Sequence, residues 1–293
     1  MKTVRAGVLD IAYLDHGPEN GPPVVLLHGF PYDVRAYDAA VTQLAEAGLR
    51  CLVPWLRGYG PTRFADVGTM RAGQQGALAA DLQAFMDALG IERAILGGYD
   101  WGGRAACIVA ALWPDRCAGL VSAGVGYNIQ NIPGAANPLP AAQEARYWYQ
   151  HLFNTPRGPS VLSQARRDIA RQCWTMWSPD WAFDTATFEA SAPAFDNPDF
   201  VDVVIHSYRH RYSGVPGDPA YDAIEDALER QPAISVPAVV LLGASDAVTP
   251  PGPEDTTRAK FTGPYERQIL PYVGNNVPQE APKAFAKAVL SLN

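Results

Sequence analysis

The sequence predicts an α/β fold with a mostly parallel central sheet, its core split into two parts by a helical insertion. Three observations carry this. Short apolar runs alternate with helix-forming stretches over residues 1–127, the β-α-β rhythm of a parallel sheet covered by helices on both faces. The rhythm stops over residues 128–230, where helical segments follow one another between Pro- and Gly-rich joints. It resumes over residues 231–293. A chain of 293 residues, 48% hydrophobic and only 18% charged, suits one large core carrying such an insertion.

Two opening strands are expected at Val4 to Leu9 and Ile11 to Leu14, and a short buried one at Pro23 to His28. A helical stretch from Ala36 to Ala47 leads to a strand at Leu49 to Pro54. The long helical pattern from Gln75 to Leu89 precedes a strand at Ile91 to Gly97, and the Ala-rich run from Arg104 to Leu112 reads as the next helix. Cys117 to Ala123 closes the first part as a strand. After the insertion, strands are expected at Val236 to Leu242 and near Gln268 to Leu270, and a final helix from Ala281 to Leu292.

The insertion is about a third of the chain, yet it holds four of the seven tryptophans (Trp148, Trp174, Trp177 and Trp181). An aromatic helical segment of this kind suits a cap over an apolar pocket, although most of its aromatics must pack its own core. A net charge of −7 argues against nucleic acid or an anionic membrane as the main partner. No apolar run approaches the ~20 residues of a membrane span, and no secretory leader is visible. Cys51, Cys107, Cys117 and Cys173 lack Cys-x-x-Cys spacing. They read as buried thiols of a cytoplasmic protein rather than as disulfides or metal ligands.

The most informative segment is Gly97-Gly98-Tyr99-Asp100-Trp101-Gly102-Gly103, set between a strand and a helix. A strand, a sharp Gly-x-nucleophile-x-Gly turn and a helix resemble the nucleophile elbow of the α/β-hydrolase fold. Gly98 and Gly102 leave room for the turn. Asp100 stands where many such chains carry serine. A carboxylate is ionised at neutral pH and attacks carbon without an activating base, so the expected chemistry becomes alkylation rather than acyl transfer. The simpler reading is that Asp100 only caps the following helix.

His28-Gly29-Phe30-Pro31 follows the third strand. In the resembled fold this loop and the residue after the nucleophile supply the oxyanion hole, here the amides of Phe30 and Trp101. Pro31 would fix the loop, if need be through a cis bond, and His28 reads as a structural hydrogen-bonding residue. Asp246, at the end of the Leu242-Gly243-Ala244-Ser245 run, suits the acid of the order nucleophile, acid, histidine; a solvated turn aspartate is the alternative. The histidine is expected in Gly274-Asn275-Asn276-Val277-Pro278-Gln279-Glu280, but none of the five histidines lies there. Asn275 stands in its place.

Together these features are similar to the epoxide hydrolase and haloalkane dehalogenase branch of the α/β-hydrolases. They are His28-Gly29-Phe30-Pro31, Arg57-Gly58-Tyr59-Gly60, Asp100-Trp101, the helical insertion, Asp246 and Gly274-x-x-x-Pro278-x-Glu280. The resemblance implies that two cap tyrosines hold the epoxide oxygen. Tyr149, in Tyr149-Gln150-His151-Leu152-Phe153 ahead of Pro156, and Tyr208, followed by Arg209, match them; the alternative for either is a packed aromatic with its hydroxyl at the surface. Trp101, Arg104 and Trp148 complete the expected substrate-binding set. Indole donors facing a halide would suit a haloalkane or haloacid dehalogenase instead, and Arg104 matches one arginine of the fluoroacetate-type group.

The reading is therefore an epoxide hydrolase working through an ester on Asp100, with Asn275 unable to act as base. Asn275 reads as a single-site replacement of histidine that traps the ester; a natural chain without turnover is the alternative. A different class also stays open, a non-catalytic homologue that binds a small molecule reversibly. No cofactor and no metal are expected. The expected partners are a small apolar or aryl electrophile, water as co-substrate, and a second copy in a homodimer.

Overall fold

The computed structural model describes residues 1–212 and 214–293. Strands β1 (Lys2–Ala6) and β2 (Leu9–His16) form a hairpin turned at Gly7, whose φ of +55° favours glycine. This turn ends the first expected strand early. Strand β3 (Pro23–Leu27), helix α1 (Asp38–Glu46), strand β4 (Arg50–Pro54), the short β5 (Arg63–Phe64) and helix α2 (Gln75–Ala88) follow. Next come β6 (Ala94–Tyr99), α3 (Asp100–Leu112) and β7 (Cys117–Ala123). The β6 strand begins three residues later than its apolar run predicts. Ile91 belongs to the turn closing α2: its N–H bonds Met86 O and its carbonyl accepts from Arg116 Nη2.

Helices α4 (Ala141–Glu144), α5 (Trp148–Asn154), α6 (Gly158–Trp177), α7 (Thr185–Ser191), α8 (Phe200–Ser213) and α9 (Asp222–Glu229) occupy the stretch between β7 and the next strand. The chain returns to the sheet through β8 (Ala238–Gly243) and β9 (Tyr265–Leu270). It ends in α10 (Val277–Glu280) and α11 (Pro282–Leu290). The sheet order is β1-β2-β4-β3-β6-β7-β8-β9, with β5 paired to β2. Pairings that involve β2 are antiparallel and the others are parallel. The fold is thus an α/β-hydrolase fold with a mostly parallel central sheet. Helices α1 and α11 pack together, as do α2 and α3. Strands β6 and β8 are buried along their whole length, as continuous apolar runs in a helix-covered parallel sheet must be.

The four cysteines are buried free thiols. Among the described residues no helix is long and apolar enough to cross a membrane. Aromatic residues of α6, α7 and the segment between them pack on one another: Trp174 stacks on Trp181 and meets the edges of Phe183 and Phe188.

The helical stretch is fastened to the core loop before α2 and to the first turn of α2 by polar contacts. Arg71 pairs with Asp199 at 2.9 Å, and Gly73 N–H donates to His206 Nδ1 at 2.9 Å. Asp218 N–H donates to Gln74 Oε1 at 2.6 Å, and Gly76 N–H donates to Glu225 Oε1 at 2.8 Å. Beneath them the fully buried Arg57 forks onto both oxygens of Asp81 at 2.6 and 2.7 Å and reaches Ala72 O and the Tyr221 hydroxyl. Arg57→Met would strand the Asp81 carboxylate in an apolar setting. The expected loss is about 3–5 kcal/mol of folding stability, read from urea unfolding; a loss below about 1 kcal/mol would contradict this account.

Candidate active site

Asp100 opens α3 directly from β6 with φ at +47°, a left-handed conformation that costs a non-glycine residue roughly 1–3 kcal/mol and that its surroundings must impose. They do so through three glycines. A Cβ on Gly98 would lie 2.5 Å from the Gly102 backbone, one on Gly102 would lie 2.0 Å from Leu27 O, and one on Gly29 would lie 2.6 Å from Asp100 Cβ. The loop after β3 therefore lies hard against the turn. From it Phe30 N–H donates to Asp100 Oδ1 at 2.7 Å, and the Phe30–Pro31 peptide is cis. The Trp101 amide sits in the first turn of α3, where backbone N–H groups have no intrahelical acceptor.

Asp246 follows β8. Its Oδ1 accepts from the amides of Val248 (2.8 Å) and Thr249 (3.0 Å), and its Oδ2 from Thr249 Oγ1 (3.0 Å) and Asn275 Nδ2 (3.2 Å). Burial pushes the Asp246 carboxyl above the usual carboxylate range, opposed by these donors. Asn275 Oδ1 is buried and no protein group bonds it. The Asn275 loop is held from below: its N–H donates to Ser178 Oγ at 3.0 Å, and Ser178 Oγ donates to Glu280 Oε1 at 2.7 Å. Glu280 also accepts from the amides of Gly274 (2.6 Å) and Asn276 (2.9 Å).

Asp100 and Asn275 line one cavity of about 330 Å³ together with Tyr149, Tyr208, Arg104 and Arg211. The two tyrosine rings meet edge to face with centroids 5.5 Å apart. Tyr149 Oη accepts from Gln150 Nε2 at 2.7 Å, which leaves its own proton free to be donated. Burial, and secondarily the charge on Asp100, holds the Tyr208 hydroxyl well above the ordinary phenol range; burial, Tyr208 and Asp100 do the same for Tyr149. Both are neutral donors at working pH. Among the described residues no group of three or more His, Cys, Asp or Glu side chains is arranged to hold a metal ion.

The α/β hydrolase fold family model matches residues 22–270. The chain belongs to this α/β hydrolase family. It is 34% identical to epoxide hydrolase B of Mycobacterium tuberculosis over 170 residues, 54% of this chain and 47% of that protein. The chain thus spans about half the length of that relative. It is 30% identical to a haloalkane dehalogenase of Mycolicibacterium paratuberculosis over 245 residues, 82% of this chain and 73% of that enzyme. Among solved structures, a candidate epoxide hydrolase from Klebsiella pneumoniae superposes with a TM-score of 0.97 at 47% identity, covering 99% of this chain and 96% of that one.

Within this member of the α/β hydrolase fold family the structure places some expected residues differently. The Trp101 indole does not line the cavity: it is buried among Phe30, Tyr59 and Tyr208. Trp148 does not line it either: Tyr147, Tyr149 and Gln150 of the same segment do, while the Trp148 ring meets the Tyr149 ring edge-on. His28 is fully buried, with Nδ1–H facing Gly29 O at 3.1 Å and Nε2 accepting Leu56 N–H at 3.1 Å. Burial lowers it to about 4, so it stays neutral. The cavity wall is also more polar than an apolar or aryl pocket, with Asn128, Gln130 and Gln150 in it. Gln130, Arg211 and Ser178 escaped the sequence reading. Only Arg211 left a signal, three residues after Tyr208 and so on the same face of α8.

Proposed function

We propose that this chain opens epoxides through an ester on Asp100. One carboxylate oxygen attacks a ring carbon, the carbon–oxygen bond of the ring breaks, and the ring oxygen takes a proton from Tyr149 or Tyr208. The product is a hydroxyalkyl ester on Asp100. Water attack on that ester needs a base, with the developing oxyanion held by the amides of Phe30 and Trp101. Asn275 has no titratable nitrogen, so in this reading the ester persists. The substitution at 275 acts as a trap because an aspartate nucleophile, unlike a serine, needs no base in its first step.

The observation that carries the reading is the meeting of Asp100 with two neutral phenols in one cavity. It also favours an oxygen over a halide as leaving group, since the Tyr149 and Tyr208 phenols line that cavity with Asp100 and no indole does. The test is intact mass of the protein after incubation with styrene oxide, followed by peptide mapping. A lasting adduct on Asp100 is expected; an unmodified protein, or modification elsewhere only, would reject the reading.

Tyr149→Phe and Tyr208→Phe should each slow adduct formation by roughly 10²–10³-fold, because the alkoxide loses a donor as it forms. The rate should stay flat as pH rises from neutrality to about 10, since both phenols ionise only above the ordinary phenol value. An alkaline fall centred below that value would show that a different group donates the proton.

A further inference from the structure

Arg104 lies one helical turn after Asp100 on α3 and is 5% exposed; Arg211 lies on α8. Both guanidiniums line the cavity beside Asp100. They converge on one neutral oxygen. With the Gln130 amide oriented as its donors require, its carbonyl accepts from Arg104 Nε (3.3 Å) and Nη2 (2.9 Å) and from Arg211 Nε (2.7 Å) and Nη2. Arg211 Nη1 also donates to Gln150 Oε1 at 3.2 Å, an oxygen shared with the Tyr212 hydroxyl. Among the described residues neither arginine has a carboxylate within ion-pair distance. Burial and mutual repulsion lower Arg104 to about 10, which still leaves it charged at neutral pH.

One buried cation, Arg104, and one part-buried cation, Arg211, thus face a cavity whose one acidic lining group is Asp100. That single charge balances one of them at most, and it vanishes when Asp100 becomes an ester. Burial leaves Arg104 poorly solvated, so an anion on the substrate would restore its counter-charge once Asp100 is esterified, and the part-buried Arg211 beside it offers a second fork to the same anion. The planar forks of arginine fit a carboxylate through paired N–H bonds.

We propose that Arg104 and Arg211 form a carboxylate subsite and that the substrate is an epoxide bearing a carboxylate near the ring. This rests on the aspartyl-ester reading and narrows its substrate class. The carboxylate is unchanged in the reaction; it fixes which ring carbon faces Asp100.

The experiment compares oxirane-2-carboxylate with oxirane-2-carboxamide as alkylating agents of the intact protein, read as the rate of Asp100 adduct formation. Calorimetric binding of the unreactive cyclopropanecarboxylate and its amide is measured in parallel. The carboxylate should react roughly 10–100-fold faster than the amide, and Arg211→Met should cut that preference at least about tenfold. If the amide reacts as fast as the carboxylate, the subsite is overturned while the ester mechanism stands. If neither epoxide modifies Asp100 yet cyclopropanecarboxylate binds in an Arg211-dependent way, the subsite stands and the ester mechanism falls. A carboxylate preference that survives in both Arg104→Met and Arg211→Met overturns the assignment to these residues.

Discussion

Asn275→His is expected to speed hydrolysis of the Asp100 ester by roughly 10²–10⁴-fold, the usual worth of a positioned general base. The site is already shaped for the exchange. Asn275 Nδ2 donates to Asp246 Oδ2, the bond an imidazole Nδ1–H would make, and three other donors fix the Asp246 carboxylate. The unpaired Asn275 Oδ1 is the position from which a ring nitrogen could reach water. Adduct decay followed by mass spectrometry after a single exposure to epoxide measures the effect. The decay should be fast at and above neutral pH and slow as pH falls through the imidazole pKa, because only the neutral ring accepts a proton. That pKa should lie above the ordinary value of about 6.5, since Asp246 stabilises the charged ring. An adduct equally stable in both proteins would show that position 275 does not set turnover.

Asp100→Asn should reduce covalent modification by at least roughly 10⁴-fold, since an amide oxygen is a poor nucleophile. Asparagine suits this test because it tolerates left-handed backbone conformations better than most residues and keeps an oxygen for the Phe30 N–H. The variant should therefore fold normally, which near-ultraviolet circular dichroism would check. Styrene oxide adducts formed at an undiminished rate in a folded Asp100→Asn protein would place the nucleophile elsewhere.

Much of this fold was readable because its central strands are unbroken apolar runs and its turns carry glycine. Boundaries slipped where tertiary contacts overrule pattern, as at Ile91, which Arg116 ties into a turn. The two-residue β5 is too short to show any alternation. Asp100, Asp246 and Asn275 stood out because strand ends place them and because the close backbone approach around Asp100 demands glycines. The aromatic character of residues 128–230 was visible, but not which rings turn toward Asp100 and which pack on one another. Hence Trp148 is expected at a surface that its neighbours Tyr147, Tyr149 and Gln150 reach and it does not. The Arg104–Gln130–Arg211 cluster was hidden because Gln130 belongs to an irregular segment with no periodicity to fix its direction.

Four polar contacts hold the α8–α9 region to the start of α2, while another part of the cavity wall meets solvent. There the wall includes the exposed Asn137 and Leu139. A strip of chain rich in Gly, Ala and Pro, with Leu139 exposed on it, thus forms part of the solvent-facing wall of the chamber. Changes to that strip would alter how quickly the chamber fills and empties while leaving the reacting groups in place.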